Sequence, residues 1–312
     1  MISSVFGKTK PINYILVLSF LFAVFWALRL TRFREEAGEH PLWVALMGLI
    51  VLLLSVFVLN FVVQRNQLTG PHSFAILFFA VWTPVFPKAM LNPDALFAAF
   101  FILLGMRRLV SLRSLRETRY KAFDATLWFL VASLFVEWAV LLVVLVWAFI
   151  YVFEPRSLKT WLMPLAALAV FSLIALAVSL QTGALDFARP HFSYGQIRMA
   201  PDFFAWDGGL RLLTFGLLTF LAGAFALVRQ RKSGHGRLIM TRLILMTLAL
   251  ILAVVFLHQG GGSHVEILTL LPGVVLLSNF VDVIGRDKWR EGVLSALVLA
   301  PLLLMVADGI LK

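Results

Sequence analysis

The chain has 312 residues, 61% of them hydrophobic and 14% charged, with a mean hydropathy of +0.95. Charged residues make up about 25% of a typical soluble domain, so water is not the main solvent of this chain. Its net charge of +11 sits in short stretches beside apolar runs, without the aromatic interleaving of a nucleic-acid surface, and the absence of cysteine excludes disulfides, thiolate metal sites and cysteine nucleophiles.

The opening MISSVFGKTKPINY places Lys8 and Lys10 just before an apolar run. No small-residue cleavage site follows, so Ile12–Leu30 reads as a retained first span with its N-terminus inside. A short acidic loop comes next, with Glu35, Glu36, Glu39 and His40 beside Arg32 and Arg34. Leu42–Val63 returns to a turn at Arg65–Ser73, where Gly70 and Pro71 break the helix. Phe74–Ala89 goes out, bent near its end by Pro84 and Pro87, and delivers the turn Asn92-Pro93-Asp94. Ala95–Met106 comes back to Arg107, Arg108, Arg113, Arg116, Arg119 and Lys121. Cytoplasmic loops retain Lys and Arg, so this basic loop labels the inner face and puts Asp94 on the outer one.

The thirty or so apolar residues of Phe123–Phe153 are either one tilted helix or a hairpin of two short arms. A single helix would place Arg156, Lys159, the Arg229–Arg242 cluster and Arg286–Arg290 outside, so the basic-residue count selects the hairpin, with its tip near Glu137. Arms of about 15 residues rise only about 22 Å, which leaves that tip below the outer surface. Trp161–Leu180 goes out to a long external connection, Gln181–Leu210, rich in Phe, Tyr and Trp. Arg211–Val228, Leu238–Leu257, Ile267–Ile284 and Val293–Leu311 complete the chain. The expected fold is all-α: one polytopic transmembrane helix bundle over residues 1–312, with about eleven spans, the N-terminus cytoplasmic and the C-terminus periplasmic.

Carboxylates at a membrane boundary are costly and are functional candidates by default. Glu35, Glu36 and Asp94 read either as solvated or capping acids or as a general base or ligands of a hard divalent cation. Glu137, flanked by Phe135 and Trp138, reads as a snorkelling tip acid or a site residue. Asp186, Arg189 and His191 crowd together in the external loop, and the basic residues Arg189, His191 and Arg211 could hold a lipid-linked phosphate, since guanidinium matches phosphate oxygens. His258, His264 and Glu266 flank a glycine turn without a recognised metal spacing.

The opening MISSVFGKTKPINY, LNPDALFAAFF, and FDATLWFLVASLF followed by YVFEPRSLKTWLMPL resemble a family of uncharacterised integral membrane proteins from Bacteroidota, which implies an inner-membrane location. The layout is similar to the GT-C class of polyprenyl-phosphate-sugar glycosyltransferases. It shares an acidic first external loop, a Pro-Asp turn after the third span and a long external loop after the seventh. That similarity implies catalytic carboxylates at Glu35 or Glu36 and at Asp94, and a lipid-phosphate arginine at Arg211. Asn-Pro-Asp-Ala stands here where the class has His-Pro-Asp-Glu. The alternatives are a non-enzymatic subunit of an envelope assembly or export complex and, third, a transporter.

Overall fold

The structure, a computed structural model, describes residues 2–32, 41–183, 191–192, 209–230, 235–258 and 264–310. All regular structure among them is helical. In chain order the helices are α1 (Ile2–Phe6), α2 (Pro11–Ala27), α3 (Leu42–Arg65), α4 (Phe74–Trp82), α5 (Pro87–Leu91), α6 (Pro93–Val110) and α7 (Thr118–Ala132). They continue as α8 (Val143–Phe153), α9 (Leu158–Trp161), α10 (Met163–Thr182), α11 (Arg211–Gln230), α12 (His235–His258), α13 (Leu270–Asp282) and α14 (Asp287–Ile310). Short 3₁₀ turns precede α8 at Glu137–Leu142 and α13 at Glu266–Thr269.

Among the described residues, six helical stretches are long and apolar enough to cross a membrane: Pro11–Thr31, Leu42–Arg65, Pro93–Ser114, Leu158–Thr182, Arg211–Gln230 and Gly236–His258. The 24 residues of α3 rise about 36 Å, enough for a hydrocarbon core of about 30 Å. The expected count of eleven also took in segments that form shorter helices. Phe74–Val85 rises only about 18 Å, and Glu137–Phe153 begins as a 3₁₀ turn. Pro84 explains the first case: it cannot continue the hydrogen-bond ladder, so α4 tightens into Thr83–Val85 and restarts at Pro87 as α5.

Burial is inverted relative to a water-soluble bundle. Every residue of α4 is buried, and so are most of α13, both lined by Leu, Val and Phe. The outer helices turn large apolar side chains outward, including Leu46, Ile50, Phe57 and Phe61 of α3 and Leu173, Ile174 and Leu180 of α10. Apolar surface on this scale is stable only against a non-aqueous phase, so the chain is an integral membrane protein.

Packing between helices relies on close approach of small residues, as expected where lipid removes most of the hydrophobic drive for helix association. α6 lies against α3 and α7, with Ala95, Ala98, Ala99 and Gly105 buried in the seam. A Cβ on Gly105 would stand 2.5 Å from Cε1 of Phe129 on α7, so only glycine allows that crossing. Gly273 of α13 similarly admits the Phe215 ring of α11, at 2.7 Å from the position of a Cβ.

The contacts sort the connecting segments into two ends. At one end, Ser73 N–H donates to the Phe6 carbonyl, Asn13 Nδ2 to the Lys8 carbonyl and Ser73 Oγ, and Gly70 N–H to Asp282. Ile2 N–H meets Glu291 there, and Arg113 abuts Gly236. This is the basic end, carrying Arg65 and the 107–121 stretch. The opposite end gathers Val85, Asn92, Ser133, Glu137, His191, Arg211, His258 and His264.

Candidate functional site

At the end opposite the basic one, the stretch 123–153 breaks into two arms. α7 stops at Ala132, where Ser133 Oγ donates to the Leu130 carbonyl, and Val136 is extended before Glu137 starts the 3₁₀ turn into α8. The tip is held by aromatic stacking: Phe135 lies on Phe97 at 5.3 Å and on Phe101 at 5.8 Å, and Phe101 also stacks on Trp128. Such a clamp fixes the direction in which Glu137 projects.

Glu137 meets His258, the last residue of α12. His258 Nδ1 lies 3.0 Å from the carboxylate, with the Glu137 side chain 20% and the His258 side chain 9% exposed. A carboxylate only accepts, so Nδ1 carries the hydrogen and Nε2 is left with a lone pair in the neutral ring. His191 Nε2 donates to the Ser133 carbonyl at 3.0 Å, and its ring is near enough to Glu137 to act on it electrostatically. Three titratable side chains from the hairpin, from α12 and from the stretch before α11 thus converge on the hairpin tip.

The other expected residues are placed differently. Asn92 is the helix cap: its Oδ1 accepts from the Asp94 and Ala95 N–H groups at 3.0 and 3.4 Å, with Pro93 in the first turn. Asp94 is an exposed first-turn acid, favourable to the helix dipole. Asn92 Nδ2 also donates to the His264 carbonyl at 3.2 Å, and His264 Nδ1 sits 3.2 Å from the buried Glu266. Arg211 is buried and donates from Nη1 to the Val85 carbonyl at 3.1 Å, just past the C-terminal end of α4. Glu35, Glu36 and Arg189 lie outside the described residues. His258, His264 and Glu266, which lack a recognised metal spacing, are divided between two pairs, and among the described residues no group of three or more His, Cys, Asp or Glu could hold a metal ion.

A family model described as a family of unknown function, DUF6427, matches residues 8–310. The chain belongs to that family. Neither a curated protein nor a solved structure matches it. In this DUF6427 chain the Glu137–His258 pair joins residues 121 apart, and no sequence spacing announces it. The available signals were a lone acid between aromatics at a hairpin tip and a histidine at the end of an apolar run.

A third carboxylate–histidine pair, absent from the sequence reading, ties down the basic end. His72 Nε2 bonds Asp282 Oδ1, and the other carboxylate oxygen accepts the Gly70 N–H at 2.6 Å. The His72 ring stacks on Phe74 at 4.1 Å. This pair is consumed by fastening the turn 65–73 to the end of α13.

Proposed function

We propose that this protein is a multi-pass protein of the bacterial inner membrane, with its basic end and N-terminus cytoplasmic and its C-terminus periplasmic, acting at its outer end on a polyprenyl-phosphate-linked sugar. The observation that carries the reading is the Glu137–His258 pair with His191 beside it. The basic end supports the orientation, because Lys and Arg are retained on the cytoplasmic side.

In this reading Glu137 orients His258 and stabilises its imidazolium, and Nε2 of His258 takes the proton from an acceptor hydroxyl. The hydroxyl oxygen forms the new bond to the anomeric carbon, whose bond to the phosphate oxygen breaks. The polyprenyl phosphate leaves with the electron pair, and the proton stays on His258 until water removes it. Arg189 and His191 would hold the lipid phosphate. Arg211, which gives one Nη1 N–H to the Val85 carbonyl, would turn its remaining donors to the same phosphate. Asp94, Glu35 and Glu36 remain candidate acids for a divalent cation or base. Removing a general base costs about 10²–10⁴-fold in rate. Purified protein in lipid nanodiscs, given a lipid-linked sugar, should transfer it, and Glu137→Gln and His258→Ala should each lower the rate by about that factor with binding retained.

The alternative is a non-enzymatic subunit of an envelope assembly or export complex. One observation favours it: Asp94 is exposed beside its cap. Full cellular function of both variants at normal protein level would select this reading over catalysis.

A further inference from the structure

At the basic end, the end of α3, the 3₁₀ turn after α6 and the first turns of α7 enclose a pocket of about 500 Å³ lined by Arg65, Asn66, Gln67, Ser111, Arg113, Ser114 and Lys121. That volume falls within the range of small-ligand sites. Three cations face it, and among the described residues no acid lines it.

Two neighbouring arginines are already engaged. Arg108 pairs with Asp124 at 3.0 Å, and the Arg107 guanidinium lies over the Phe61 ring at 4.8 Å. Arg65 and Arg113 have no acid partner among the described residues. Lys121 is held in place rather than neutralised: its Nζ donates to the Ser111 carbonyl at 2.9 Å and to Ser114 Oγ at 2.7 Å, leaving one N–H. Burial, as the largest cause, lowers the Lys121 pKa, and Arg108 and Arg116 push the same way against Glu117.

The backbone of this pocket is also unusual. Gln67, Leu115 and Glu117, with φ of 51°, 54° and 51°, are the positive-φ non-glycine residues of the described chain. Gln67 lines the pocket, and the other two bracket the turn between Ser114 and Lys121. Left-handed backbone is unfavourable for residues with a Cβ and clusters where a binding geometry is held against local preference.

We propose that this pocket binds a phosphate group, gripped by the Arg65 and Arg113 guanidinium forks with Lys121 as a fixed point charge. Guanidinium meets phosphate oxygens through two parallel N–H bonds, and the serine hydroxyls and Asn66 and Gln67 amides supply further polar contacts. Arg65 ends one membrane-length helix and Ser111–Ser114 ends another, so the pocket lies at the depth of a lipid headgroup. The phosphate therefore comes either from an anionic phospholipid or from a soluble phosphate compound.

The test uses the full chain in nanodiscs. In neutral phosphatidylcholine discs, binding of pyrophosphate and inorganic phosphate is titrated. In discs doped with phosphatidylglycerol, bound lipid is counted by native mass spectrometry. Binding in either arm supports the pocket and names the source, and binding in neither overturns it. Arg65→Gln with Arg113→Gln should lower the positive arm at least tenfold, whereas Arg116→Gln with Arg119→Gln, outside the pocket lining, should leave it within twofold. Equal losses from both pairs would mean diffuse surface charge and sink the proposal. Should the pocket variant fail to fold, wild-type protein decides: the bound phosphate must slow phenylglyoxal modification of Arg65 and Arg113 relative to Arg116, and uniform modification rates refute the site.

Discussion

Asp282 shows how one side chain can fasten two segments. Its carboxylate accepts from the Gly70 N–H and from His72, 210 residues upstream. Hydrogen bonds to a charged group contribute about 1.5–3 kcal/mol each, so Asp282→Ala, which removes two, should lower stability by about 3–6 kcal/mol. Asp282→Asn, which keeps an acceptor, should cost less than half of that. Thermal unfolding of the purified protein measures both, and equal midpoints for the two variants would show that the bond to Gly70 and His72 contributes nothing. Neither this pair nor Glu137–His258 was legible in the sequence, because ion pairing depends on which helix ends meet. Asp94 was half legible: its place in the first turn follows from the Asn-Pro-Asp spelling, but the cap is Asn92.

At the scale of the element, the α6–α7 crossing is set by a single missing methyl. Gly105 faces Phe129, a ring with 0% exposure, so an added Cβ cannot be relieved by turning the ring to the surface. Overpacking of this kind costs about 1–3 kcal/mol. Gly105→Ala should lower the unfolding midpoint, and Gly105→Ala with Phe129→Leu should recover part of the loss. A double variant no better than the single one would place the strain elsewhere. The break in 123–153 was readable from basic-residue balance, and the tip near Glu137 is where the helix gives way to Val136 and the 3₁₀ turn. Helix lengths were less readable. Apolar composition alone does not separate a lipid-facing span from a wholly buried helix such as α4, and the 16-residue run Phe74–Ala89, broken by Pro84, reads like a span.

For the whole molecule, the decisive property is that its large apolar side chains face outward while its polar connections gather at two ends. The membrane class was evident from composition, since no packing arrangement hides 61% hydrophobic residues in water. Which connections share an end was also encoded, through the repeated placement of Lys and Arg. The orientation can be measured directly, because the chain has no cysteine and a single introduced thiol reports one position. Arg116→Cys should react with an impermeant maleimide only in inverted vesicles, and Asp94→Cys only in intact cells with a permeabilised outer membrane. Labelling of both from the same side would contradict the two-ended arrangement.

The wholly buried α4 has a consequence for biogenesis. At nine residues, about 14 Å, it is too short for the translocation machinery to partition into lipid as a unit, and it is enclosed in part by α13 and α14, made some 190 residues later. During synthesis α4 must wait, incompletely sheltered, until the last two helices arrive. Chains halted before Leu270 should therefore stay bound to insertase or be degraded by membrane proteases, and pulse-chase of such truncations should show half-lives several-fold shorter than that of the full chain.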